Sequence, residues 1–390
     1  MIHTYSLHTS QIDVLEAALF DIQEGLQGIS LSKYSVGIIA CHYDYINNGI
    51  VSAIAKMLPF PLIGFTTYYQ ATPNDNGLFS LTITVLTSPD VVFKVTCSDT
   101  TDYPDTLSPE ARIASVYKDS IAGFSAPPAF IMPFVSPKRP ISGDIFLELF
   151  DELSGGVPQF GAVTTGEDEV GTNVFVICGD KVFTNGFALL SFYGEAHVKF
   201  YYGNHQPENL LMMRASVTKA SGAVVHELNN KPATDYLQRH GIEISEDTKM
   251  LLPTIPFCFK KTPQDPLIAR TMVDFLPDKS AVFLGDIPEG SIFRIGTANT
   301  EDILAVSRSV MEEAVKDISE NACFFIFSCV GRYIALGLDI TAELDLASAL
   351  IPKENTYLSS YVGGEFCPVI KDGTCENYFH NSSFIVCVIE

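Results

Sequence analysis

Residues 158–167 read Pro158-Gln159-Phe160-Gly161-Ala162-Val163-Thr164-Thr165-Gly166-Glu167, a short apolar run that ends in two hydroxyls, a glycine and a carboxylate. Ahead of it stand an apolar run at 129–134 and a helical pattern at 144–153; behind it, strand candidates at 173–178 and 186–192 read as a pair. The same order recurs twice. One copy has runs at 36–41 and 61–67, a helical pattern at 50–57 and an alternating stretch at 78–86. The other has runs at 324–329, 357–365 and 383–389, with a helical pattern at 341–350. An amphipathic helix pattern precedes each copy, at 12–26, 110–121 and 301–318. Short apolar runs between helix-length segments suit strands covered on both faces. The expected fold is α/β, with mixed sheets flanked by helices and built from repeated strand-helix-strand-turn-strand units.

Residues 212–297 break this rhythm with short β-like segments at 223–228, 251–259, 269–275, 281–284 and 292–295, many prolines, and one short helix at 233–239. They read as a β-rich insertion in the C-terminal half. The expected division is a domain of two repeat units at 1–215 and a domain at 216–390 holding the β-rich segment and the third unit.

Composition narrows the function. The 390 residues carry 46 acidic against 24 basic side chains, for a net charge of -22, and 47% are hydrophobic. A large core is available, and phosphate backbones and anionic membrane surfaces are poor partners for such a chain. Nucleic acid is excluded as an expected partner. The N-terminus lacks the basic and apolar segments of a secretory signal, and the longest apolar stretch, 323–338, is interrupted by Ser328 and Arg332. Cytoplasmic residence without membrane insertion is the expectation. Nine cysteines without CxxC pairs suit free thiols rather than disulfides or structural zinc. The scattered histidines form no HExxH motif, and no Walker A, GxGxxG or GxSxG pattern occurs in its usual setting. No metal and no cofactor is expected.

The turn Thr164-Thr165-Gly166-Glu167 can present backbone N–H groups and polar side chains to a small ligand at a strand end. Taken alone it is also an ordinary β-turn. Its echo at Gly363-Gly364-Glu365 strengthens the ligand reading, whereas the first copy has Tyr68-Tyr69-Gln70 there. A second candidate is Ser328-Cys329-Val330-Gly331-Arg332, where an apolar strand ends in a hydroxyl, a thiol, a glycine turn and a guanidinium. Arg332 suits a ligand carboxylate, Glu167 or Glu365, and equally a structural contact. Arg270, in an apolar strand, is either solvent-facing or the partner of a buried anion. His380 and Asn381 can orient a ligand or serve a turn. A nucleophilic Cys329 needs a lowered pKa, and no histidine is marked as its base. An enzyme using Cys329, or Glu167 and Glu365 as acid and base, is the alternative to a binding protein.

Together these motifs resemble the FIST proteins, a family of prokaryotic sensory domains with N-terminal and C-terminal parts. The resembling residues include 61–67 and 186–190 in the first part. In the second they include 217–220, 231–233, Ala269-Arg270, 285–290, 327–332, Gly364-Glu365 and His380-Asn381. The resemblance implies a sensor of small molecules such as amino acids that passes occupancy to signalling output. Tyr69-Gln70 departs from the family's Gly-Glu. With the chain filled by the sensory region, output is expected through a separate protein.

Overall fold

The computed structural model describes residues 1–99, 108–137, 142–166, 173–260, 265–371 and 373–390. The first unit runs β1 (His3–Thr9), α1 (Leu15–Leu26), β2 (Tyr34–Cys41), α2 (Asp44–Asn47), α3 (Ile50–Met57), β3 (Leu62–Thr66), the hairpin β4 (Gln70–Ala71) and β5 (Asn76–Gly77), and β6 (Leu81–Ser88). The second runs β7 (Val92–Asp99), α4 (Pro109–Ile121), β8 (Phe130–Val135), α5 (Gly143–Ser154), β9 (Gly161–Val163), the hairpin β10 (Val176–Cys178) and β11 (Lys181–Phe183), and β12 (Gly186–Tyr193). The third opens on β13 (Val198–Gly203).

The chain then leaves the third unit for β14 (Leu210–Ser221), β15 (Val224–Leu228), β16 (Lys231–Pro232), α6 (Ala233–Arg239), β17 (Pro256–Phe259), β18 (Ile268–Phe275), β19 (Ala281–Phe283) and β20 (Ile292–Gly296). It returns with α7 (Thr300–Ala314), β21 (Cys323–Cys329), α8 (Val330–Leu336), α9 (Ala342–Leu350), β22 (Thr356–Val362), the hairpin β23 (Gly364–Lys371) and β24 (Thr374–His380), and β25 (Phe384–Ile389). The inserted strands close a barrel in the order β14–β20–β17–β18–β19–β15 and back to β14. Position 215/216 lies within β14.

Each unit builds the same sheet. The last strand slots antiparallel between the first and the middle one, and the third lies parallel to the middle one: β1–β6–β2–β3, β7–β12–β8–β9 and β13–β25–β21–β22. Each hairpin leaves its own sheet and pairs with a neighbour's third strand, β4 with β22, β10 with β3, and β23 with β9. Residues 173–178 and 186–192, read as partners in the sequence, therefore belong to different sheets. The exchange covers an edge that would otherwise expose unpaired backbone, and it gives a very short strand an apolar neighbour.

The three sheets turn one face inward. Phe65 packs on Phe134 at 5.1 Å and edge-on to Phe327 at 5.6 Å, one ring from each unit. The outer faces are covered by α1 and α3, by α4 and α5, and by α7 and α9. Ser108, Ser142 and Asn299 cap three of these helices by accepting from the N–H groups of Ala111, Ile145 and Asp302. Gly64 and Gly161 occupy equivalent strand positions where a Cβ would stand 1.8 Å from the Ile39 carbonyl oxygen and 2.0 Å from that of Pro133. No other residue fits there without moving backbone.

Two local expectations fail. Val330-Gly331-Arg332 is no turn but the start of α8, with Gly331 pressed against the Pro253 carbonyl, which its Cβ would approach to 2.5 Å. Residues 251–254 belong to a 3-10 helix, Glu246–Thr254, rather than a strand. Pro253 supplies no N–H for a ladder, and Ser245 with Thr248 forms a capping box.

Candidate functional site

Strand alternation decides what meets at the junction of the units. On β21, Phe327 faces the centre, so Ser328 points to the helix side and Cys329 back to the centre. By the same count Thr164 follows Ala162 to the centre, Glu365 shares the face of Cys367, and Ser383 that of Ile385. The central aromatic core is thus topped by a polar layer at the strand ends. Main-chain bonds knit this layer: Thr165 N–H donates to the Thr66 carbonyl at 3.2 Å, Gly363 to Val163 at 2.8 Å, and Tyr361 to Tyr69 at 3.2 Å. Each bond joins a different pair of units.

Within this layer Glu365 is fully buried. Ser383 Oγ donates to its Oε2 at 2.5 Å, whereas Oε1 has no geometric hydrogen-bond partner among the described residues. Burial raises its pKa to about 8, opposed by hydrogen bonds to the carboxyl from Ser383 and the Cys329 thiol and by the charge of Arg332. The carboxyl is therefore largely neutral at neutral pH. Among the described residues three more oxygens here are left without a partner, the first being Oγ1 of Thr164, buried across the seam. Asn381 Nδ2 donates to the His380 carbonyl at 2.8 Å, leaving Oδ1 unbonded. Gln70, the first unit's counterpart of Glu365, donates through Nε2 to Ser80 and likewise leaves Oε1 without a partner. His380 stacks on Tyr202 with ring centres 4.2 Å apart and bonds the Cys367 carbonyl through Nε2. Gly166 and Gly364 allow close approach: a Cβ would meet the Asn173 carbonyl oxygen at 2.6 Å and the Phe379 ring at 2.8 Å. Glu167 lies outside the described residues.

The two arginines sit elsewhere. Arg332, with 1% of its surface exposed, donates through Nε and a terminal nitrogen to Glu343, and also to Ser307 Oγ at 2.8 Å and the Ile303 carbonyl at 3.0 Å. Ser328 completes the cluster by donating to Glu343 at 2.5 Å. The partner of Arg332 is thus Glu343 on α9, on the helix side of β21, rather than Glu365. Arg270, fully buried, donates to Asp144 on α5 at 2.6 Å, to the Phe379 carbonyl at 3.0 Å and to the Asp286 carbonyl at 3.3 Å. Of its two sequence readings, the buried-anion partner is the one observed, and the bond ties the barrel to the second and third units.

The structure therefore gathers Thr164, Thr165, Gly166, Cys329, Gly364, Glu365, His380 and Asn381 about the seam, and sets Ser328 with Arg332 on one side of it and Arg270 at the barrel. Sequence reasoning missed Glu343 and Asp144, and singled out Ser383 only beside His380-Asn381. Glu343 shares a helix face with Leu344 and Ala347, all buried, and a carboxylate inside that apolar stripe was the available signal. Among the described residues no group of three or more metal-ligating side chains converges. None of their helices is long and apolar enough to cross a membrane.

Three interlocked α/β units with a closed barrel inserted in the third, and buried acceptors left open where the units meet, define a multi-unit α/β protein with a polar seam. The FIST N domain model matches residues 35–231 and the FIST C domain model residues 233–368, so the chain belongs to the FIST family. FIST domains are sensory domains of signal-transduction proteins and bind small ligands there. No match was found among curated proteins.

Proposed function

We propose that the chain is a cytoplasmic small-molecule receptor whose ligand, an amino acid or other small carboxylate, binds at the seam and is read out by a separate signalling protein. The observation that carries this reading is the set of open polar atoms there: Thr164 Oγ1, Glu365 Oε1 and Asn381 Oδ1 are buried without hydrogen-bond partners among the described residues. An unsatisfied buried polar group costs about 1–3 kcal/mol, so three at one junction favour an occupant that bonds them. Their chemistry suits an amino acid. With Oε2 accepting from Ser383, the neutral Glu365 carries its proton on Oε1 and donates to the ligand carboxylate, as does the Thr164 hydroxyl. Asn381 Oδ1 accepts from the ammonium group. Neither Arg332 nor Arg270 is needed, since each is held by a buried carboxylate.

An enzyme built on Cys329 has less support, because burial pushes that thiol well above its ordinary value and keeps it protonated. Because β4, β10 and β23 each pair with another unit's sheet, an occupant of the seam contacts more than one unit and biases how they pack. The test is a thermal-shift and calorimetric screen of amino acids and small carboxylates on the full chain. A ligand at a hundredfold excess over its Kd adds about 2.7 kcal/mol. The stabilisation should shrink in Thr164→Ala and Asn381→Ala; a hit undiminished in both moves the site elsewhere, and no hit in a broad panel removes the reading.

A further inference from the structure

Outside the barrel wall, between β14, β17 and β20 and the segment that follows β13, lies a cleft of about 910 Å³. Its floor is one cross-strand row: Arg214 on β14 stands opposite Arg294 on β20, which stands opposite Cys258 on β17. Two like charges directly opposite on neighbouring strands repel and weaken the pairing. No carboxylate relieves them, since neither guanidinium has an ion pair among the described residues. Glu289, which also lines the cleft, accepts from the Ala220 N–H. Arg294 is tethered along one edge, donating to the carbonyls of Leu210 and Leu211, while Arg214 is exposed and makes no side-chain hydrogen bond among the described residues. A fixed guanidinium and a free one thus share a recess with apolar walls at Leu210, Phe259 and Leu267.

In a chain with a net charge of -22, a concave spot holding two unneutralised guanidiniums is unusual. An oxyanion seated between them turns their repulsion into two charge-assisted contacts. Its size and mixed lining are those of a small-molecule site.

We propose that this cleft is a second binding site, for a small organic anion with an apolar body, its carboxylate or phosphate head held between Arg214 and Arg294. The inference does not rest on the seam as a receptor site, although His205 in the cleft wall bonds Ser382, next to Asn381, at 3.1 Å. The test is calorimetric titration of the full chain at low salt with phenylacetate, phenylphosphate and neutral benzyl alcohol. At least one anion should bind, with benzyl alcohol about tenfold weaker or undetectable, and the stronger anion identifies the head group. Losing a charged hydrogen bond costs about 1.5–3 kcal/mol, so Arg214→Gln should weaken the anion about tenfold or more. The Arg214 side chain is exposed and bonds nothing among the described residues, so this variant reads binding while leaving its main-chain contacts in the wall; Arg294→Gln is the second variant. Equal binding of all three probes, binding by neither anion, or unchanged affinity in Arg214→Gln overturns the proposal. A response lost in Glu365→Gln but kept in Arg214→Gln belongs to the seam, and the converse to the cleft.

Discussion

Replacing Glu365 with glutamine isolates a single buried proton. Burial raises this carboxyl from 4.5 to about 8 in the folded chain, while unfolding returns it to its ordinary value. Between those two values the native state holds a proton that the unfolded state has released, so stability falls as pH rises. The contribution of Glu365 is complete below the unfolded pKa and is lost as pH climbs through about 8. Each unit inside that window costs the wild type about 1.4 kcal/mol. Glutamine keeps the shape, stays neutral and still accepts from Ser383. Urea unfolding of both proteins at about pH 5.5 and about pH 7.5 should show the variant gaining roughly 3 kcal/mol on the wild type. Taking the difference cancels every other titrating group. A difference that stays flat across this range refutes a neutral, buried Glu365.

Three further outcomes follow from the buried contacts. Glu343→Ala strips Arg332 of its carboxylate and should cost about 3–5 kcal/mol in urea unfolding, whereas Arg332→Met combined with Glu343→Leu should cost far less; equal losses would mean the ion pair is not the issue. Asp144→Ala leaves Arg270 buried beside backbone carbonyls alone, and hydrogen exchange should quicken in β18 and α5 by about 3 kcal/mol of lost protection. If only α5 responds, the bond does not join barrel to unit. Iodoacetamide at neutral pH should modify the exposed Cys375 well before Cys329, which is buried with its thiol raised, as read by mass spectrometry over time; early labelling of Cys329 would contradict that burial.

The repeated units, their helices and the β-rich insertion were legible because each rests on local periodicity. Residues 233–239 read as a helix and form α6 with those bounds, and the pattern at 144–153 lies within α5. The start of α8 was not legible, since Gly331 signals a turn in sequence and serves in space as a gap for the Pro253 carbonyl. Within the candidate site, Thr164, Gly364 and Glu365 were marked by two similar stretches in the chain and Asn381 by its place before the last strand, although Gly364 and Glu365, read as a turn, open β23. The partner of Arg332 does not, because Glu343 approaches it from a helix on the far side of β21.

From the chain alone came the α/β units, the acidic surface and the family, all set by composition, by spacing along one segment and by short motifs. The exchange of hairpins among the three sheets, the neutral state of Glu365 and the pairing of each arginine with a buried carboxylate were decided only in three dimensions. Strand partners, solvent exclusion and ion pairs depend on what lies across a sheet or over a strand end, and sequence neighbours carry no record of that.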